Sequence, residues 1–81
     1  MKGVMIMTTN EKTLEKKNLG ENIRKERIRK GYTVEAFANE IGVSSRLIYD
    51  YEDSFKFPSL DTLIKISLVL EVTIDSILRA A

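Results

Sequence analysis

The chain has 81 residues, enough for one small domain with a thin stability margin, because a domain of about 60 residues buries only ~60% of the surface its unfolded chain exposes. It contains no Cys and no His, which excludes disulfides, zinc sites built on those residues, and Ser-His or Cys-His nucleophile pairs. We therefore expect no metal site and no cofactor. The net charge is only +1, but residues 19–31 hold five basic and two acidic side chains. That block alone would attract a polyanion, since residues 32–58 hold two basic and five acidic side chains.

Residues 1–18 show no helical or strand periodicity of useful length, and we expect them to form a mobile arm. The alternative is a short strand at Val4 to Met7 that pairs with a second subunit. Its four apolar residues are too few for a secretory signal. No apolar run in the chain approaches the ~20 residues of a membrane-spanning helix. We therefore expect a cytoplasmic protein without a membrane partner.

The remaining chain, residues 19–81, is predicted to form a single helical domain. The spacing predicts a first helix over residues 19–30, with Asn18 as its N-cap and Gly31 as a left-handed stop. Its inward face consists of residues at intervals of four, namely Leu19, Ile23 and Arg27. Residues 34–41 form the second predicted helix, with Thr33 as its cap. Its apolar stripe follows a full helical period and consists of Val34, Phe37, Ala38 and Ile41.

Only Gly42, Val43 and Ser44 separate this helix from a third, which is predicted over residues 45–53 with Ser44 as its cap. The inward face of the third helix carries Ile48, Tyr51 and Glu52. Its opposite face carries Arg46, Tyr49, Asp50 and Asp53, with Ser45 at the margin. Two short helices joined by a three-residue turn that contains Gly are typical of a DNA-docking unit. Helical hairpins that bind no DNA also use Gly turns, so the spacing alone leaves both interpretations open.

A fourth helix is predicted from Leu60 to about Leu70, after a loop that ends at Pro58. Ser59 caps it, and Thr73 caps a last short helix. The inward stripe of the fourth helix is predicted to be Leu60, Leu63, Ile66 and Leu70. Three further apolar residues exceed what that stripe needs and form a candidate dimer surface: Ile64, Leu68 and Val69. The alternative is that Leu68 and Val69 pack under the last helix.

Two charged residues lie on apolar faces, where charges are almost never fully buried unless they are paired. Arg27 lies on the inward face of the first helix, and Glu52 lies on that of the third. The simplest interpretation is that they pair and fix the angle between the two helices. The alternative is that both side chains reach solvent at their helix ends.

Residues 19–78 resemble the Cro and phage-repressor (xenobiotic-response-element) helix-turn-helix family. The matching segments are Leu19 to Arg24, Gly31-Tyr32-Thr33, Ile41-Gly42-Val43-Ser44, Tyr51-Glu52, Pro58 to Leu63 and Asp75 to Leu78. The resemblance implies a compact all-α domain of five helices, with the helix-turn-helix in helices two and three. It also implies a transcriptional regulator that is usually dimeric on DNA, and a pair between Arg27 and Glu52.

Three positions depart from the family pattern. Val34 stands where the family usually has a phosphate-gripping Gln, although backbone N–H groups at this helix start could still face a phosphate. Ser54 stands where Gly usually follows the recognition helix. Asp50 stands where many members have Arg, Lys or Gln, and an Asp could accept a hydrogen bond from a cytosine amine.

On this basis we expect a sequence-specific DNA-binding transcriptional regulator, a repressor, that reads the major groove with helix 45–53. The expected base contacts are Ser45, Arg46, Tyr49 and Asp50. The expected phosphate contacts are Thr33, Val34, Ser44 and Lys56. About two to four basic phosphate contacts per subunit give weak binding, so a homodimer on double-stranded DNA is expected.

Two alternatives keep the same fold with weak DNA binding. One is a protein-interaction module with a protein partner, and the other is an antitoxin that also represses its own promoter. An enzyme is not expected, because the carboxylates and lysines form no convergent constellation.

Overall fold

The computed structural model describes residues 18–79, and over that range the chain is entirely helical, with no strand. The first helix, α1, occupies residues 18–29 of the described chain. The others are α2 (Val34–Ile41), α3 (Ser45–Glu52), α4 (Leu60–Leu70) and α5 (Ile74–Leu78). The predicted all-α, five-helix fold is confirmed for these residues. The predicted arm, apart from residue 18, and the alternative strand at Val4 to Met7 lie outside them. Within residues 18–79, no helix is both long enough and apolar enough to cross a bilayer.

A hydroxyl residue stands immediately before each of α2, α3, α4 and α5. Its side-chain oxygen can accept a hydrogen bond from a backbone N–H group in the first turn, which has no partner within the helix. Each acceptor receives the backbone N–H three residues later, and the predicted caps are Thr33, Ser44, Ser59 and Thr73. All four predictions are confirmed. The predicted cap at Asn18 is wrong, because residue 18 is already helical. An Asn inside a helix costs less than about 1 kcal/mol, so nothing in that side chain obliges the helix to begin there.

The turns that follow α1, α2, α3 and α4 each contain one residue in the left-handed region of the backbone. Gly31 and Gly42 supply it at φ 84° and 86° after α1 and α2, since Gly has no Cβ to clash there. Ser54 and Glu71 adopt the same region at φ 66° and 59° without that freedom. For a residue with a Cβ this costs roughly 1–2 kcal/mol. The Ser that replaces the family's Gly after α3 therefore keeps the turn at a cost in stability.

The core lies where α2, α3 and α4 meet, with α1 and α5 closing it. Every residue of the predicted α2 stripe is buried, and Phe37 at its centre is fully enclosed. The ring of Tyr32 packs against Phe37 at a tilt, with 5.7 Å between the ring centroids. The other buried apolar side chains are Leu19, Ile23, Ile48, Tyr51, Leu63, Ile66, Leu70 and Ile77.

The first and third helices approach each other closely at two points. The Arg27 guanidinium donates to both carboxylate oxygens of Glu52, at 2.7 and 3.2 Å, and to the backbone carbonyl of Tyr32 at 2.8 Å. This is the pair that the sequence predicted, and it is buried. At the second point, a Cβ added to Gly20 would lie 2.6 and 2.7 Å from the carbonyl oxygens of Tyr51 and Glu52. Only Gly allows α1 to lie this close to the end of α3.

The α4 stripe differs from the prediction. Leu60 was expected to face the core, but it is 68% exposed. Ser67 takes a buried place instead, and its hydroxyl donates to the carbonyl of Ile64 at 2.8 Å. The reason is geometric. Leu60 is the first residue of α4, beside the loop, and the part of α4 that packs against the core begins one turn later, at Leu63. Val69 is half-buried and packs against the core, whereas Leu68 is 71% exposed.

Candidate nucleic-acid interface

The turn between α2 and α3 is fixed by hydrogen bonds to one carbonyl. The N–H groups of Gly42 and Val43 both donate to the carbonyl of Ala38, at 2.8 and 3.0 Å. Ser44 then caps α3 through its hydroxyl, which accepts from the N–H of Leu47 at 3.2 Å. The half-buried Val43 side chain packs against the core. The direction in which α3 leaves the turn is therefore set by local backbone geometry and by packing.

The outer face of α3 presents a cation and an aromatic ring. The side chain of Arg46 is 85% exposed, and Tyr49, one turn later, is also exposed. Ser45 is half-buried beside them. The first turn of α3 contains no acidic residue, whereas α2 carries Glu35 there. Since helix N-termini favour anions, the start of α3 is better suited to a phosphate or a base acceptor than the start of α2.

Asp50 does not lie where the helical pattern placed it. It was expected on the open face opposite the core, but it is only 8% exposed. The loop after α3 folds over it, because the N–H groups of Phe55 and Lys56 donate to the carbonyl of Asp50 at 2.8 and 3.2 Å. Its carboxylate lies 3.4 Å from the Nε atom of Arg46 and 3.8 Å from the Nζ atom of Lys56. The prediction that Asp50 lies on the open face of the helix is therefore wrong.

The residues predicted to contact phosphate fall into two groups. Thr33 and Ser44 use their hydroxyl oxygens as caps, and each hydroxyl keeps a proton that it can donate to a phosphate. The side chain of Val34 is buried in the core, so only its backbone N–H could take part. Lys56 is largely exposed, and through Asp50 it lies near Arg46. The structure thus brings Arg46 and Lys56 together on one side of the domain.

Two residues near this face were missed by the sequence reasoning. Phe55 is among the most exposed large apolar side chains, and it lies next to Lys56 in the loop. Its position in a loop that ends at Pro58 could have signalled this exposure. Gly20 sets the spacing between α1 and α3, and its signal was a Gly inside a helix that had otherwise regular spacing.

Tyr51 lies on the side of α3 opposite its outer face and is buried, as predicted. Burial raises the pKa of its phenol, and the nearby charge of Asp50 raises it further, while a hydrogen bond with Thr62 acts in the opposite direction. The hydroxyl therefore stays protonated at neutral pH. Tyr51 contributes packing between α3 and α4, and not a charge on the surface.

Comparison with known proteins agrees with this geometry. The helix-turn-helix family model matches residues 23–77. The chain is 30% identical over 61 residues to the HTH-type transcriptional regulator ImmR of Bacillus subtilis (strain 168), which covers 75% of this chain. The chain spans about half (48%) of the length of ImmR.

Two solved structures are also similar. The clp gene regulator ClgR from Corynebacterium glutamicum superposes with a TM-score of 0.74 at 25% identity, covering 79% of this chain and 68% of ClgR. The biofilm regulator SinR in complex with DNA has a TM-score of 0.71 at 31% identity, covering 75% of this chain and 98% of the SinR chain. The DNA-binding domain of SinR from Bacillus subtilis matches with a TM-score of 0.70. The chain therefore belongs to the helix-turn-helix family of the Cro and phage-repressor type, as its sequence predicted.

Proposed function

We propose that this chain is a sequence-specific DNA-binding transcriptional regulator, acting as a repressor, whose α3 enters the major groove. Residues 19–81 would form its DNA-binding domain. The observation that carries the proposal is the exposed Arg46 in the first turn of a helix that a Gly turn braces against α2. The N-terminal residues of such a helix reach base edges when it lies in a groove ~12 Å wide.

The roles of the side chains follow from their exposure. Arg46 is the base-reading residue, because an Arg bidentate to guanine is the commonest specific contact. Ser45 and Tyr49 flank it and contact bases or phosphates. Lys56 and the hydroxyl of Ser44 anchor the neighbouring phosphates. On the α2 side, Thr33 and the backbone N–H of Val34 add weaker anchoring, because the exposed Glu35 repels phosphate there.

The relatives support this proposal. ImmR is named a transcriptional regulator, and the SinR structure is a complex with DNA. The matched region of both is the one that contains the turn and α3 of this chain. These names describe those proteins, and the same activity is the simplest one for a chain that shares the fold and exposes Arg46 on α3.

The test is binding to random-sequence duplex DNA as a function of salt concentration. Wild type should bind with a dissociation constant of about 10⁻⁴–10⁻⁶ M and weaken as salt rises. Arg46→Ala should bind more weakly and lose about one unit of salt slope if Arg46 also neutralises a phosphate. Arg79→Ala is the control, because Arg79 follows α5 and pairs with Asp75. Absence of salt-dependent binding at low ionic strength would reject the proposal and favour a module that binds a protein partner.

We further propose that a second copy of the chain covers the exposed side of α4. Leu60, Ile64 and Leu68 lie one turn apart and are all exposed, forming an apolar strip along the helix. Ile64 and Leu68 were predicted for this role, and Leu60 joins them. Val69 contributes less, since it packs against the core. A dimer would supply the second half-site contact that a subunit with few basic contacts needs.

Sedimentation of wild type and Leu68→Ser tests this second proposal. Wild type should associate with increasing concentration, and Leu68→Ser should associate less. Ile28→Ser is the matched control, because Ile28 is an exposed apolar residue on a different helix, α1. Equal association of all three chains would exclude the α4 strip as the dimer surface.

A further inference from the structure

Asp50 is a charged residue in an unusual place. It lies on α3, between the candidate base reader and the candidate phosphate contact, and it is 8% exposed. Both of its ionic partners, Arg46 and Lys56, are largely exposed. Carboxylates are rarely buried, because removing a charged group from water costs free energy unless strong hydrogen-bond or ionic partners replace the water.

The stability of the fold does not explain why a charged carboxylate is buried at position 50. Its contacts are 3.4 and 3.8 Å long, and they lead to cations that are mostly in solvent. Ion pairs with exposed cations contribute little to stability. The backbone of Asp50 receives the two loop N–H groups, and any residue could offer that carbonyl. An Asn of the same size would fill the same space without the charge.

The contact with Arg46 has a consequence for recognition. It is made through Nε, at one edge of the guanidinium, while the side chain as a whole remains exposed. The guanidinium is planar and rigid, so an interaction at Nε restrains the plane, and this hydrogen bond to Asp50 does not use the two terminal nitrogens. Those two nitrogens form the fork that matches the O6 and N7 acceptors of guanine.

The carboxylate of Asp50 also affects sequence-independent binding to DNA. Its negative charge offsets part of the positive charge that Arg46 and Lys56 would otherwise offer to any phosphate. Sequence-independent affinity rises with the number of phosphates that cations neutralise. A negative charge at this position therefore lowers non-specific affinity, while the restraint on Arg46 favours the specific contact.

We propose that Asp50 is a specificity-determining positioning residue, which holds Arg46 in a base-reading orientation and weakens the binding of unselected DNA. This inference rests on the proposed DNA-binding function. Asp50 itself contacts Arg46 and Lys56, and acts on the DNA through them. The partner it prepares Arg46 for is a guanine in the major groove.

The experiment selects binding sites from a randomised duplex DNA library with wild type, Asp50→Asn and the control Asp53→Asn. Asp53 is exposed at the end of α3, so its variant removes the same charge close to the same place. Wild type and Asp53→Asn should enrich the same guanine-containing motif, with about five- to 150-fold discrimination at the guanine. Asp50→Asn should bind random duplex DNA more tightly and lose at least about threefold of that discrimination.

The outcomes separate this inference from the function on which it rests. If wild type and Asp50→Asn enrich the same motif with equal discrimination, the role of Asp50 is wrong and the DNA-binding function stands. If wild type enriches no motif, sequence-specific binding itself is wrong and this inference falls with it. Thermal midpoints of the two variants should lie within about 4 °C of wild type, a shift that corresponds to no large change in folding.

A measurement on the wild-type chain keeps the inference testable if Asp50→Asn fails to fold. Nuclear spin relaxation of the arginine Nε–H groups reports how restricted each guanidinium is. The Nε–H group of Arg46 should show a higher order parameter than that of Arg24, an exposed arginine on α1. Equal order parameters would mean that Asp50 does not restrain Arg46, and would overturn the proposal.

Discussion

The buried pair between α1 and α3 permits a quantitative test of what holds α3 in place. Arg27 and Glu52 form two hydrogen bonds, and their side chains are only 10% and 5% exposed. Arg27→Met removes the cation and leaves the Glu52 carboxylate buried without it. Breaking a buried pair from one side costs about 3–5 kcal/mol. A domain of this size has roughly 3–9 kcal/mol in total, so the variant should be marginal at 37 °C.

The double variant Arg27→Met/Glu52→Leu should recover most of that loss. Replacing both partners by apolar side chains of similar volume is often neutral or stabilising, by as much as about 1–4 kcal/mol. The Tyr32 carbonyl still loses the donor that Arg27 provides, which costs about 1 kcal/mol. The double variant should therefore lie within about 2 kcal/mol of wild type.

Urea unfolding followed by far-UV circular dichroism measures these differences, since the chain has no Trp. The slopes against urea should agree between variants, so that shifts in midpoint report stability. The control is Arg29→Met, which breaks an exposed pair with Glu26 and should cost less than about 1 kcal/mol. If Arg27→Met costs no more than this control, or if the double variant is no more stable than Arg27→Met, the buried-pair reasoning is refuted.

Two further predictions follow from helix packing and from a surface pair. Gly20→Ala should lose about 1–3 kcal/mol in the same urea assay, because its methyl group meets backbone oxygens of α3; a stability equal to wild type would contradict the close packing. Lys30 hydrogen-bonds to Glu71 and lowers the pKa of that carboxyl below 4.5. This stabilisation exists above the unfolded pKa and is lost as pH falls through the lower folded pKa. Thermal midpoints of wild type and Lys30→Met should differ at pH 7 and converge below pH 4.5; a constant gap would exclude the coupling.

The features that the sequence predicted well are those that depend on residues close together in the chain. The stripe of α2 and its cap at Thr33 involve residues within two turns of each other, and both were found as predicted. The pairing of Arg27 with Glu52 was a longer-range inference. This pairing could be predicted because a charged side chain on an apolar face is rarely buried without a partner of opposite charge.

The features that the sequence did not predict depend on segments distant in the chain or on loop conformation. The burial of Asp50 arises from the loop that folds back over α3, and no periodicity in the helix encodes that loop. The exposure of Leu60 depends on where α4 meets α2, which its own pattern cannot fix. At the candidate site, the exposure of Arg46 on the outer face of α3 was predictable from the helical repeat. The burial of Asp50 beside it was not.

The buried amide of Asn22 has a consequence for how the domain opens. Its nitrogen donates to the carbonyls of Ile77 and Arg79, at 2.9 and 2.7 Å, and so joins the middle of α1 to the end of a helix only five residues long. So short a helix would fray rapidly in isolation. Since this amide bridges the two, the backbone amides of α5 should exchange with deuterium in step with those of α1, as one cooperative unit.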